Sequence, residues 1–251
     1  MSLRGLAWFL AAAVLAGCAG KKDPERLQGA VFYYDKGVED FEKGRYLRAV
    51  DNFQRVLSNY PGFAEVAEAQ YYLAESFFHL EEYVSAVFEY ERLVDTYPSS
   101  ARLVEAQYKI GESWFEQSRR AELDQAETYQ ALAAYRRFIE DNPGSPLAAD
   151  AEGRIRECRA RLAKKDFLAA RLYDRQGHLD AAKMTYEQMV RAYPDTDWYW
   201  HGLASIGRIH SRQGRPEEAR DLWEQVLSAS EDEDLLEDVR EWMAEAGQDA
   251  E

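Results

Sequence analysis

The chain is poor in cysteine, histidine and positive charge, and each shortage removes a class of function. Two cysteines, Cys18 and Cys158, occur in 251 residues, the first of them at the end of an N-terminal apolar stretch. Cys158 is left alone in the helical pattern Arg154-Ile155-Arg156-Glu157-Cys158, so a disulfide framework is excluded and Cys158 reads as a small packing residue. The four histidines (His79, His178, His201, His210) show neither metal-ligand spacing nor an HExxH motif. A Gly-rich phosphate loop and a Gly-x-Ser-x-Gly elbow are also missing. Neither an enzyme nor a metal or diffusible cofactor is expected. The formal net charge is -15, which argues against nucleic acid as a partner, because phosphates need a basic footprint. It argues equally against binding anionic lipid headgroups through the protein surface. The abundant carboxylates alternate with basic residues, as in Glu89-Tyr90-Glu91-Arg92, and read as solvated helix faces.

Long apolar runs are absent apart from Leu6–Leu15, and about ten apolar residues are too few to cross a bilayer core of roughly 30 Å. Arg4 precedes that run and Leu15-Ala16-Gly17-Cys18 follows it. A basic start, an apolar middle and small residues at the end form a secretory signal covering residues 1–17. The Leu-Ala-Gly-Cys ending resembles a bacterial lipobox, in which the cysteine becomes the acylated first residue of the mature chain. That implies a covalent lipid, palmitate among its acyl chains, on Cys18, with a lipidated linker over 18–27. Ala19 stands where Asp would mark inner-membrane retention, so the implied address is the periplasmic face of the outer membrane.

Periodicity fixes the architecture. Gly37, Ala74 and Gly111 stand 37 residues apart, and Ala170 and Gly207 repeat the interval after a gap of 59. A second small register follows at Ala49, Ala86, Ala131, Ala182 and Ala219, with an aromatic four residues beyond each: Phe53, Tyr90, Tyr135, Tyr186 and Trp223. Spacing of four places small residue and ring on one helix face, so the ring packs over the small residue of a partner helix. Lys43-Gly44-Arg45, Gln176-Gly177-His178 and Gln213-Gly214-Arg215 supply helix-ending turns. Pro61, Pro98, Pro143 and Pro194 close the second helices. Small, aromatic, then proline at these offsets resembles the tetratricopeptide repeat, a 34-residue helix-turn-helix unit. The expected fold is all-α, a solenoid of about five such repeats.

Two irregularities interrupt the period. Gly111 to Ala131 is 20 residues where the other repeats have 12, which places a polar loop around Ser118–Gln125. Before Ala170, Ser145-Pro146 opens a helical stretch Leu147–Leu162, read as an extra helix between repeats 3 and 4 or as a long first helix. The expected organisation is repeats 1–3 over 28–144, extra helix and repeats 4–5 over 145–230, and an acidic cap or tail over 231–251 that ends the array.

Several segments resemble the BamD family of outer-membrane assembly lipoproteins. They include Asp124-Gln125, Asn142-Pro143-Gly144-Ser145-Pro146 with Ala149-Asp150-Ala151, and Arg161-Leu162-Ala163. Ala169-Ala170-Arg171-Leu172-Tyr173, Arg175-Gln176-Gly177, Ala181-Ala182 and Tyr193-Pro194-Asp195-Thr196 continue the likeness. The resemblance implies a scaffold of the β-barrel assembly machinery, with a POTRA-containing barrel subunit, other assembly lipoproteins and the C-terminal strands of unfolded outer-membrane proteins as partners. It also implies POTRA contact through repeats three to five. A pilotin for secretin subunits or a coordinator of cell-wall synthesis would share lipobox and repeats but lack the interruption between Pro143 and Thr196.

A peptide groove is expected on the first helices. Tyr34, Tyr71 and Tyr108 lie three positions before the small residues, and Phe41, Phe78 and Phe115 four after, both ladders keeping the 37-residue period. Stacked rings with hydroxyls suit an extended, aromatic-rich peptide. The tyrosines are expected as contacts and the phenylalanines as core. Trp198 and Trp200 in Trp198-Tyr199-Trp200-His201 cannot share one helix side, so one is expected to face outward as a docking residue.

Overall fold

The computed structural model describes residues 24–248, so the leader, Cys18 and most of the linker lie outside the described residues. Five antiparallel helix pairs and a terminal helix follow one another: α1 (Pro24–Glu42) with α2 (Tyr46–Asn59), α3 (Val66–His79) with α4 (Tyr83–Thr96), and α5 (Leu103–Gln117) with α6 (Ala126–Asp141). Then come α7 (Ala148–Arg175) with α8 (Leu179–Ala192), α9 (Trp198–Arg212) with α10 (Pro216–Ala229), and α11 (Glu233–Gln248). Each helix packs chiefly on its neighbours in sequence, the signature of a solenoid. No described helix is long and apolar enough to cross a membrane.

The small-to-aromatic register is the fastening of every pair. A Cβ added at Gly37 would lie 2.7 Å from the Phe53 ring, at Gly111 2.7 Å from Tyr135, and at Gly207 2.6 Å from Trp223. Ala74 and Tyr90, and Ala170 and Tyr186, occupy the same registers and are all but fully buried. Interiors are close-packed, so a ring seated against a bare Cα leaves no room for a methyl group. Trp223 also donates its indole N–H to the Ala204 carbonyl at 3.0 Å, which satisfies its one polar atom inside the core.

The turns inside four of the five repeats, all but repeat three, share one geometry. Gly44, Gly177 and Gly214 take φ of 68°, 79° and 73°, the left-handed conformation in which glycine meets no Cβ penalty. Their amides bond back to Phe41, Asp174 and Ser211, and the next amides reach Asp40, Tyr173 and His210, closing the helix ends. Repeat two forms the same turn with Glu81 at φ 60°. The motif persists there without glycine because the surrounding hydrogen bonds, Glu81 to Phe78 and Glu82 to Phe77, are the same.

Two features that the sequence leaves open take one form in the structure. There is no separate extra helix between repeats 3 and 4: α7 runs unbroken for 28 residues, and the stretch read as an additional helix is its N-terminal half. Nothing between Ala148 and Arg175 breaks a helix except Gly153, which a helix tolerates, so the two segments fuse. The N-terminal half of α7 covers α6 and the C-terminal half pairs with α8, so one rigid rod joins repeats 1–3 to repeats 4–5. Arg159 ties it to the end of α8, donating Nε to Asp195 at 2.7 Å and Nη2 to the Ala192 carbonyl at 2.9 Å. At the far end, the acidic segment is helical: α11 buries Leu235, Leu236 and Val239 against Leu203, Trp223 and Val226 and turns its carboxylates outward.

Candidate functional site: the aromatic ladder and its ionic cover

The six ladder residues keep their register on α1, α3 and α5, but Tyr71 and Tyr108 are core residues where contacts are expected, while Phe115 is buried as expected and Phe41 and Phe78 are partly buried. Tyr71 and Tyr108 are 5% and 8% exposed. Tyr71 leans on Tyr90 at 6.1 Å between ring centres, and Tyr108 packs on Tyr135 and Phe138 at 5.6 Å each. Tyr34, half-buried, lies 6.2 Å from Phe53 and 5.7 Å from Phe63. Each tyrosine therefore meets the core ring of its own repeat. The physical reason is direction: a side chain three positions before the small residue leans toward the same partner helix that the small residue admits. Burial pushes the Tyr34 phenol up to about 12, with the carboxylates of Glu68 and Glu65 and the phenol of Tyr72 adding to it and Arg102 opposing. Tyr71 is raised further, again by burial first and then by Glu75 and Glu105.

The phenylalanines sit at the seams between repeats. Phe41 touches Tyr46, Tyr72 and His79 at 5.4, 5.2 and 5.5 Å. Phe78 meets Tyr83 edge-on at 5.4 Å and lies under the Lys109 ammonium at 4.6 Å. Phe115 is covered by two guanidinium groups, Arg154 at 4.6 Å and Arg161 at 4.7 Å. Cations over ring faces are attracted by the ring quadrupole, by about 0.5–1 kcal/mol at exposed sites.

Lys109 and Arg154 belong to a set of ion pairs that crosses α3, α5 and α7. Glu68 pairs with Arg102 at 3.1 Å and Arg102 with Glu105 at 2.8 Å. Glu75 meets Lys109 at 3.7 Å, Lys109 meets Glu112 at 3.0 Å, and Glu112 approaches Arg154 at 3.9 Å. Tyr90 donates its hydroxyl to Glu75, so the chain is anchored in the core of repeat two. Burial alone would lower the Lys109 ammonium, yet Glu75 and Glu112 hold it above its ordinary value. Arg161 stands apart: its hydrogen-bond partner is the Ser118 hydroxyl, and it has no carboxylate partner among the described residues. Sequence reading missed this ionic cover, although Glu75 and Glu112 themselves keep the 37-residue period.

The polar loop 118–125 is a folded element. Gln125 is fully buried and its side-chain amide donates to the carbonyls of Arg120 at 2.8 Å and Leu123 at 3.2 Å, while Thr128 donates to its Oε1 at 2.8 Å. With Ser118 bonded to Arg161, the loop fixes the wall beside Phe115.

Trp198 and Trp200 part to opposite cores, as their spacing requires, and both are half-buried. Trp198 lies 5.1 Å from Phe167 and 5.0 Å from His201, in the core shared by repeats three to five. Trp200 packs with Tyr199 at 4.8 Å in the core of α9 to α11. Cys158 is buried, and its surroundings push the thiol up to about 11, chiefly by burial.

A family model described as outer membrane lipoprotein, YfiO, matches residues 28–225, from α1 into α10. The chain is 24% identical over 207 residues to the Outer membrane protein assembly factor BamD of Vibrio cholerae serotype O1, a match covering 78% of this chain and 86% of that protein. It is 27% identical over 196 residues to the protein of the same name from Caulobacter vibrioides, covering 76% of this chain and 64% of the relative. Among solved structures, the tetratricopeptide domain of P58(IPK) aligns with a TM-score of 0.46 at 17% identity, over 87% of this chain and 55% of that one. A MamA protein aligns with a TM-score of 0.37 at 20% identity, over 80% and 91%. With the match running through the repeats from α1 into α10, this chain belongs to the outer membrane lipoprotein family YfiO.

Proposed function

We propose that the chain is a scaffold for outer-membrane protein assembly, held to the outer membrane by a lipid on Cys18 and receiving the C-terminal strands of unfolded outer-membrane proteins on its first-helix face. The observation that carries this reading is the family match across the whole repeat array, whose relatives are named as assembly factors. The face supports it chemically. An outer-membrane strand alternates apolar and polar side chains, and this face alternates rings (Phe41, Phe78, Phe115) with Lys109, Arg154 and their carboxylates. A strand that ends in an aromatic residue also ends in an α-carboxylate. Arg161, seated on Phe115 without a carboxylate of its own, is the cation that would take it. Repeats three to five, with Trp198 and Trp200 on α9, are the proposed contact for the POTRA region of the barrel subunit. Scaffolding of this kind needs no catalytic group.

The test uses a fluorescent peptide with alternating side chains and a C-terminal phenylalanine, in free-acid and amidated forms. Amidation should weaken binding about tenfold, a difference of roughly 1.4 kcal/mol, and Arg161→Gln should abolish that difference. Equal binding of both forms to the native chain would contradict the assignment.

A further inference from the structure

The geometry points to a second docking site, a cleft between α4 and α6, that takes a basic amphipathic helix of a partner protein. The cleft holds about 450 Å³ and is floored by Ile110 and Trp114 of α5. Glu91 and Asp95 of α4 form one wall, and Ala133 and Ala134 of α6 form the other, with Arg137 and Asp141, paired to each other, at its end. It does not share residues with the aromatic ladder and does not depend on the reading proposed for that face.

The repeat register explains why the space exists. The corresponding place between α2 and α4 is filled: Gln70 is fully buried and donates its side-chain amide to Glu89 at 2.6 Å, above a buried Leu73. One repeat on, Glu89 is replaced by Ala134, and Gln70 and Leu73 by the half-buried Gln107 and Ile110. The carboxylate that closed the seam is missing. Arg92, which approaches Glu89 at 3.7 Å, has its counterpart in Arg137, and that residue turns to Asp141 at 3.5 Å. Two alanines opposite a tryptophan leave a trough whose apolar lining is Val94, Ile110, Trp114, Ala133, Ala134 and Phe138, with polar side chains along its edges.

Charge and shape select the occupant. Glu91 and Asp95 have no ion-pair partner among the described residues, and they stand on one face of α4, one turn apart. A segment with bulky apolar residues on one side and Lys or Arg flanking them would fill the trough and pair both carboxylates. An amphipathic helix presents its anchors at i, i+3 or i+4 and i+7, which matches a trough between helices.

The probe is an 18-residue fluorescent helix of leucine and lysine in an amphipathic pattern, with a leucine–glutamate counterpart. Anisotropy is measured on the mature chain carrying Cys18→Ser, which leaves every described residue in place. The native chain should bind the lysine peptide at least tenfold more tightly than the glutamate peptide. Ala133→Phe with Ala134→Glu, which restores the repeat-two pair, should weaken the lysine peptide at least tenfold although it adds a negative charge. Unchanged or tighter binding by that variant would mean general attraction to an acidic protein and would overturn the proposal. If circular dichroism shows that variant unfolded, Glu91→Lys with Asp95→Lys decides, against Asp234→Lys with Glu241→Lys on α11 as an equal charge change far away. Loss in the first pair alone supports the cleft, and equal loss in both overturns it. Concentration-dependent dimers that vanish when the cleft is filled would assign it to a second copy instead.

Discussion

At the residue scale, one register can carry opposite energetics in successive repeats. Tyr90 and Tyr135 are the core rings of repeats two and three, both fully buried. Tyr90 donates to Glu75, whereas the Tyr135 hydroxyl has no hydrogen-bond partner among the described residues. Tyr90→Phe should therefore cost about 1.5–3 kcal/mol by removing a buried hydrogen bond to a charged carboxylate, which then keeps only Lys109 and His79 beside it, while Tyr135→Phe should be neutral or stabilising. Urea unfolding of the two variants checks this, and equal losses would contradict it. Lys109 is held above its ordinary value, as are Tyr71 and Tyr90. A group raised on folding contributes stability that is complete below its unfolded value and is lost as pH rises through the folded one. The urea midpoint should accordingly hold steady up to about pH 10 and fall steeply above it. A midpoint that stays level to pH 11 would count against the buried ionic cover. The same scale shows what sequence could not reveal. Tyr71 and Phe78 share a face at spacing seven, and nothing in the pattern says which of them leans into the repeat and which lies at the seam.

At the scale of elements, the helix pairs were legible because their fastening is local in sequence. Gly37 and Phe53, or Gly207 and Trp223, announce both the pairing and the close approach. The turn in repeat two was harder to read, since Glu81 takes the left-handed conformation that glycine marks elsewhere. The fused α7 was a matter of weighing Ser145-Pro146 as a helix start against the absence of any breaker before Arg175. As the rod that carries load between the two halves of the array, α7 is the element whose interruption should be most telling. Ala160→Pro removes a backbone donor and inserts a ring clash in its middle, at a cost of about 3 kcal/mol or more. Thermal unfolding should then split into two transitions, one for repeats 1–3 and one for repeats 4–5. A single transition would show that the halves are coupled by contacts other than this helix.

At the scale of the whole molecule, the described chain is a stack of helix pairs with two faces of different chemistry. One carries aromatic rings on α1, α3 and α5 with ion pairs across α3, α5 and α7, and the other opens a cleft over Trp114 where repeat three lacks the residue that closes the seam in repeat two. Both are built from departures within an otherwise regular period, which is why the array was plain in the sequence while its binding surfaces were not. The acidic C-terminal segment, opaque as sequence, ends the stack by burying three apolar residues of α11. The central claim is that this stack scaffolds outer-membrane protein assembly. It is tested most directly by purifying the tagged chain, Cys18 intact, from its own membranes in gentle detergent and identifying what co-purifies by mass spectrometry. The account predicts a stoichiometric POTRA-containing barrel protein. Recovery of a secretin or of cell-wall synthases, with no barrel protein, would contradict it.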